Sequence, residues 1–431
     1  MINQFYKKIS TSLIQFADNR SVQIVLFVAF FLILQMEYIN FINIPLFREK
    51  MGFDFEYSVS RLVFSNLMFV LLLLIIRRLS AFDYFINSMF FIFLSIPSLV
   101  FYEFMPNTPI AISLFVILFH ILYYALSKLE FSYQPKIIDI SERMKMFVLL
   151  IIVILMIIPF VINYGFTINT DAFDSSKIYS VRELGTQKLT LITGYFYGWI
   201  VRILIPIGFV IAIKQRKFIF AFLFLLMQVY LYSLLAQKLV FVTLFIMFIM
   251  VVRSYYQQIT WILLSLILLI IMSKFVSIFT SNIMLESIVV RRTFFIPTII
   301  TKDYLEFFND NYIYWSNSVL KMFSGYPYDT SPNILIGSEY FDGVIKSANT
   351  GFLGDGYMNF GYFGMLLNTI GVVVVFRLFS MMKISSDYSG VFIIIIYTLV
   401  NGYFFTSLLT HGILVLLFVS FFILRNTHQE Q

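Results

Sequence analysis

Residues 146–163 read MFVLLIIVILMIIPFVIN, eighteen residues without a charge. A helix rises 1.5 Å per residue, so about 20 mostly apolar residues cross the roughly 30 Å of hydrocarbon in a bilayer. The run shows no alternation, so it does not read as a barrel strand. Working outward from it, further apolar runs lie near 22–43, 60–76, 84–104, 109–127, 193–213, 218–234, 239–252, 260–280, 361–376, 390–406 and 408–424. The expectation is an all-α, polytopic membrane protein with about twelve transmembrane helices. The runs at 218–234 and 239–252 are short and joined by little more than Ala236-Gln237-Lys238, the connection of a tight hairpin.

Composition agrees. Of 431 residues, 60% are hydrophobic and 12% charged, against about 25% charged in ordinary soluble domains. Such a chain lacks the polar surface of a water-soluble monomer, which excludes a soluble enzyme, a nucleic-acid binder and a secreted module. The net charge of +7 reads as membrane topology rather than attraction to nucleic acid. Cysteine is absent, so there is no disulfide framework, thiolate nucleophile or cysteine-ligated metal.

With the N-terminus placed in the cytoplasm, every inner turn carries Lys or Arg, as the positive-inside rule expects. Both termini are then cytoplasmic, and the polar stretch 1–20 reads as the flank of an uncleaved anchor. The chain reads as a single integral membrane domain, 1–431, with no legible internal repeat. Two outer loops are long, 164–192 and 281–360, and a loop of such length is usually functional or disordered. The aromatic content of the second argues for a folded element.

Candidate chemistry gathers around the outer side. Arg291-Arg292 opens the large loop, and paired guanidinium groups suit a lipid-linked diphosphate; the alternative is a pair of interfacial anchors. Arg202 falls mid-span in GWIVRILIP, where an ionised Arg costs about 2.5–3.5 kcal/mol, so it should face a cavity or a partner such as Glu37. Lys238, held in the short hairpin, is a further diphosphate candidate, and Lys274 is a weaker one; either can snorkel to the interface. Asp355, in GFLGDGYMNFG, is a general-base candidate, or else it caps a helix beginning near Asn359. His411 is a base or proton-shuttle candidate. Tyr304, Phe307, Phe308, Tyr312, Tyr314 and Trp315 either line a saccharide groove or form an interfacial aromatic belt. Of these, Tyr304 and Trp315, with Tyr357 and Asn359 near Asp355, are the saccharide-binding candidates. His120, inside a span, reads as a hydrogen-bonded core residue. With three histidines and no His-x-x-x-His, no metal site is expected.

Three segments carry a family resemblance: SLLAQKLVFVTLF (233–245), RRTFFIPTIITKDYLEFF (291–308) and NTGFLGDGYMNFGYFGMLL (349–367). With the span count and the long outer loop in the C-terminal half, they resemble the Wzy-type O-antigen polymerases, which join oligosaccharide repeat units. That family often carries Glu where Asp355 stands. The resemblance implies a membrane glycosyltransferase of lipopolysaccharide or other polysaccharide biosynthesis. It would act on undecaprenyl-diphosphate-linked oligosaccharides at the outer face of the bacterial cytoplasmic (inner) membrane. It implies no metal or nucleotide-sugar cofactor, and a chain-length regulator as partner besides membrane lipid. The rival readings are a lipid-linked oligosaccharide flippase, an O-antigen ligase and a small-anion transporter. The missing repeat and uneven loops count against the flippase.

Overall fold

The computed structural model describes residues 14–129, 140–174, 176–237, 239–317, 325–341 and 344–425. Among them the chain is helical, and its sole strand-like pairing is an isolated bridge between Ile384 and Arg425. Among the described residues, ten helices are long and apolar enough to cross a membrane. In chain order with two shorter apolar helices, they are α1 (Arg20–Ile42), α2 (Val59–Arg77), α3 (Ala81–Phe104), α4 (Ile110–Ser127), α5 (Glu142–Tyr164) and α6 (Leu191–Lys214). Then come α7 (Phe218–Leu235), α8 (Val240–Met250, short), α9 (Tyr255–Thr280), α10 (Phe352–Met381), α11 (Ser386–Asn401, short) and α12 (Phe404–Leu424). Each apolar run of the sequence is therefore a helix, and the chain is an all-α multi-pass membrane protein. Large apolar side chains such as Val63, Leu67 and Leu74 on α2, or Ile151 and Leu155 on α5, lie on the outside, a surface that only lipid tolerates.

The helices form two compact units. The first comprises residues 1–130, 254–377 and 399–404; the second comprises 131–253, 378–398 and 405–431. In the first, α1 packs on α9, and α2 packs on α3 and α4. The apolar span of α3 is wholly buried. Its core is phenylalanine-rich: Phe31 stacks on Phe69 at 4.3 Å, and Phe90 meets Phe119 at 4.4 Å. Such pairs add about 0.5–1.5 kcal/mol to plain area burial.

Several polar side chains inside this core are paired with one another, as a medium without water favours. His120 donates from Nδ1 to Asn87 Oδ1 (2.9 Å) and accepts at Nε2 from the Ser95 hydroxyl (2.7 Å), the hydrogen-bonded core role expected of it. Arg377 donates to Asp83 (2.8 Å), which also accepts from the Tyr123 hydroxyl (2.8 Å). Glu37, a candidate partner of Arg202 in the sequence, instead accepts from Lys274 at 2.7 Å. Lys274 is thereby ion-paired rather than reaching freely for the interface.

In the second unit α6 packs on α5, α7 and α8. The C-terminal end of α6 is fixed by Lys214, which donates to Asp387 Oδ2; Asp387 also accepts from the Val252 amide (2.9 Å) and the Ser385 hydroxyl (2.8 Å).

Wide π turns interrupt several helices. Three of them, Phe91–Ser95, Ile200–Leu204 and Ser287–Phe295, each end two residues before a proline: Pro97, Pro206 and Pro297. Proline has no N–H for the carbonyl four residues back, so the turn before it must satisfy its bonds another way. Pro159 lies in an uninterrupted α5, so the missing donor permits a π turn without compelling one.

Candidate functional site

In the second unit, the π turn Ile200–Leu204 carries Arg202. Pro206 withholds the donor that the Arg202 carbonyl would otherwise receive, so the arginine sits where α6 is least regular; π turns recur at functional sites. Gly198 lies one turn earlier, and a Cβ there would run into the Thr410 carbonyl. The Trp199 indole donates to the Leu409 carbonyl at 2.6 Å. Across this contact lies a break in α12, where Gly412 adopts φ +88° and a Cβ would lie 2.6 Å from Ile203 Cδ1. His411 lies in this break, its Cα 3.8 Å from the place a Cβ on Gly198 would take.

Tyr197, the residue before Gly198 on α6, carries a buried hydroxyl. Arg182 sits on the short helix Ile178–Gln187, which lies so close to the end of α7 that a Cβ on Gly185 would strike the Leu234 carbonyl. Its Nη2 donates to the Ala236 carbonyl at 2.9 Å, which α7 exposes by ending in a left-handed residue. Lys238 follows two positions later in the chain and lies outside the described residues.

Arg202 Nη1, Arg182 Nε and the Tyr197 hydroxyl are buried without a hydrogen-bond partner among the described residues. Neither arginine forms an ion pair with an acid there. Unmet buried donors cost about 1–3 kcal/mol each, more when charged. Two guanidinium groups with open donors and no acid partner among the described residues suit an anion. The sequence pointed to Arg202, Lys238 and His411. It missed Arg182, a charge inside the 164–192 loop, and Tyr197, one aromatic among many in an apolar run.

Asp355, in the first unit, has a different task. Its Oδ2 accepts from the Phe404 amide (2.8 Å) and Asn368 Nδ2 (3.3 Å), and its Oδ1 accepts from Asn359 Nδ2 (3.1 Å). It thus serves as the side-chain cap at the start of α12, reached from 49 positions earlier in the chain. The capped helix is α12, not one beginning near Asn359. Helix α10 begins at Phe352 and kinks at Phe360-Gly361, where Gly361 adopts φ +60°. The kink brings Gly356 and Gly364 backbone to backbone, with no room for a Cβ at either.

The saccharide candidates divide. Tyr304 is wholly buried, its hydroxyl donating to the Ala348 carbonyl (3.1 Å) and bonded to the Tyr403 hydroxyl (2.9 Å), so it is a core residue with no face for a sugar. Asn359 is buried between Asp355 and the Trp315 amide, which donates to its Oδ1 at 2.7 Å. Tyr314 and Trp315 both have left-handed backbones, φ +51° and +58°, rare for such side chains and held by this bond and by Ile313 N donating to Met358 O (3.0 Å). Trp315 packs edge-on against Phe360 at 4.7 Å. Tyr357 lines a cleft of about 560 Å³ with Asp54, Lys302, Glu306, Asn309 and Tyr362, and donates to Asn309 Oδ1 at 3.1 Å. Aromatic faces beside mixed hydrogen-bonding groups suit an uncharged, hydroxyl-rich ligand.

The Arg291-Arg292 pair separates on its wide turn. Arg291 donates to the Ser287 hydroxyl (2.8 Å) and to Met51 Sδ, with its guanidinium over the Phe47 ring at 4.6 Å. Burial, then the charge of Arg292, lower its pKa from the ordinary arginine value. Arg292 is exposed. Among the described residues no three His, Asp or Glu side chains gather into a metal-holding group. No protein-family model, curated protein or solved structure matches the chain.

Proposed function

We propose that the chain is an oligosaccharide repeat-unit polymerase, a membrane glycosyltransferase acting on lipid-diphosphate-linked oligosaccharides at the outer face of a bacterial cytoplasmic membrane. The observation that carries the reading is the set of unpartnered donors on Arg202, Arg182 and Tyr197 in a membrane-spanning bundle. A diphosphate supplies the acceptor oxygens they lack. In the transfer, a sugar hydroxyl attacks the anomeric carbon of the donor chain and the bond to the diphosphate oxygen breaks. The hydroxyl proton passes to His411. The charge left on the diphosphate is met by the two guanidinium groups and the Tyr197 hydroxyl, which favour the leaving group as its charge develops. Asp355 holds the start of α12 rather than taking a proton, because three donors already occupy its oxygens.

The test is complementation of a native-host strain lacking the gene, read as a gel ladder of surface polysaccharide. Arg202→Gln combined with Arg182→Gln should leave one repeat on the anchor and no ladder. A full ladder from that double variant overturns the reading. Loss of every repeat in the gene-deleted strain would instead indicate a flippase or ligase, and an untouched ladder there would favour the transporter.

A further inference from the structure

A second polar cluster lies in the first unit, apart from the residues given a part in the proposed transfer. Glu37 is five residues from the end of α1, and Lys274 is six from the end of α9, so both lie about 8–9 Å inside their helix ends. Lys274 Nζ donates to Glu37 Oε1 at 2.7 Å. Glu37 Oε2 is buried and has no hydrogen-bond partner among the described residues. Glu286, on the short helix Met284–Glu286, faces the Glu37 carboxyl. Glu37 and Glu286 are both 3% exposed. Two enclosed acids therefore face one ammonium.

If both were ionised, Glu37 Oε2 would have only a like charge before it, and one negative charge would be buried without compensation. The other charged or titratable groups on the packed elements have partners of their own. Glu103 on α3 accepts from Gln35 Nε2 (2.8 Å), Tyr38 donates to the Asp54 carbonyl (2.9 Å), and Arg291 is seated on Phe47. Arg292 is exposed.

We propose that Glu286 is a proton-binding site: it is held as the neutral acid and donates its proton to Glu37 Oε2, leaving Glu37 ionised against Lys274. Glu37 Oε2 then has a partner, and the net charge of the cluster is zero. Burial raises the Glu286 pKa above the ordinary carboxyl value; Ser277 opposes that rise and Glu37 adds to it. Loss of the proton sets two carboxylates against each other. Met284–Glu286 runs directly into the π turn Ser287–Phe295.

A space of about 270 Å³, lined by Ile33, Met36, Glu37, Ile270, Lys274 and Phe275, opens beside the cluster and admits an apolar reagent. The full-length protein in detergent micelles is treated with dicyclohexylcarbodiimide, and modified carboxyls are mapped by mass spectrometry. A neutral acid adds its O–H across one C=N bond, with oxygen to the central carbon and the proton to nitrogen; a carboxylate lacks that proton. Label should appear on Glu286 at about pH 6 and fall at least tenfold by about pH 9, as the acid ionises. Thermal unfolding supplies a second readout. A carboxyl whose folded pKa is raised contributes stability below its unfolded pKa, and that contribution is lost as pH rises through the folded pKa. Wild type should therefore lose unfolding temperature across that interval. E286Q, whose amide keeps a donor toward Glu37, should not. No label on Glu286 at about pH 6, pH-independent label, or an E286Q profile with the wild-type slope would each overturn the proposal.

Discussion

Replacing Arg202 with Gln should reduce activity without reducing stability, and that pairing of signs is the sharpest test of the cationic site. Nη1 of Arg202 has no partner to lose, and no acid is left stranded when the charge goes. A charged arginine within a span costs about 2.5–3.5 kcal/mol. Part of that cost is relieved by neutral Gln, so the unfolding temperature in detergent should hold or rise, with a gain of up to about 2 kcal/mol. Function should move the other way. A hydrogen bond to a charged group contributes about 1.5–3 kcal/mol, so losing the one from Nη1 to a diphosphate lowers turnover roughly ten- to 150-fold. Arg202→Lys keeps the charge but not the planar fork, and should fall between. Polymer length and yield in complemented cells report activity, and intrinsic-fluorescence melting of the purified protein reports stability. An R202Q protein that melts several degrees lower yet restores a full ladder would show that the arginine is a structural member of α6, refuting the anion-site argument.

Other expectations follow from the same geometry. Asp355→Asn places an amide where three donors converge, and should cost about 2–4 kcal/mol, seen as a loss of monodisperse protein in fluorescence-detected size exclusion; a well-folded, inactive D355N would instead mark a proton acceptor. Gly364→Ala forces a Cβ into the Gly356 backbone and should cost about 1–3 kcal/mol or more, measured by detergent melting. Asp303 is buried beside Lys302 (3.7 Å), and burial raises its pKa to about 8. Its contribution to stability is present below the ordinary aspartate range and is lost as pH climbs through about 8, so D303N should flatten the melting profile between about pH 4 and pH 8. Asp387→Ala strands Lys214 and the Val252 amide and should cost about 1–3 kcal/mol.

The helices were legible because a bilayer allows one solution for a long apolar run, and polar breaks mark its ends. The breaks inside helices were harder to read. The pattern Asn-Phe-Gly-Tyr-Phe-Gly predicted a helix starting near Asn359, whereas the helix starts at Phe352 and turns at Phe360-Gly361. A single φ > 0 residue lets an apolar segment change direction without any change in hydropathy. Asp355 looked like a local cap or a base, and its acceptor role toward Phe404 depends on a contact between distant segments that no local pattern encodes. Arg202 stood out because a charge in a span is conspicuous, but Arg182 did not, since a charge in a loop is ordinary until the loop folds against Ala236. The adjacent Arg291 and Arg292 suggested a clamp. Neighbours on a helical turn project in different directions, and here one is seated against Phe47 and Met51 while the other is exposed.

A π turn is a helix carrying one residue more than its regular ladder needs, so the turns before Pro97, Pro206 and Pro297 are places where α-helical register has slipped by one. One surplus residue rotates everything beyond it by about 100° around the axis, the angle between successive residues at 3.6 per turn. Removing a single residue from Ile200–Leu204 would therefore be absorbed as ordinary helix while turning Arg202 or its neighbours onto another face. Single-residue deletions, lethal to packing in most buried helices, become here a way of re-aiming side chains on an intact backbone.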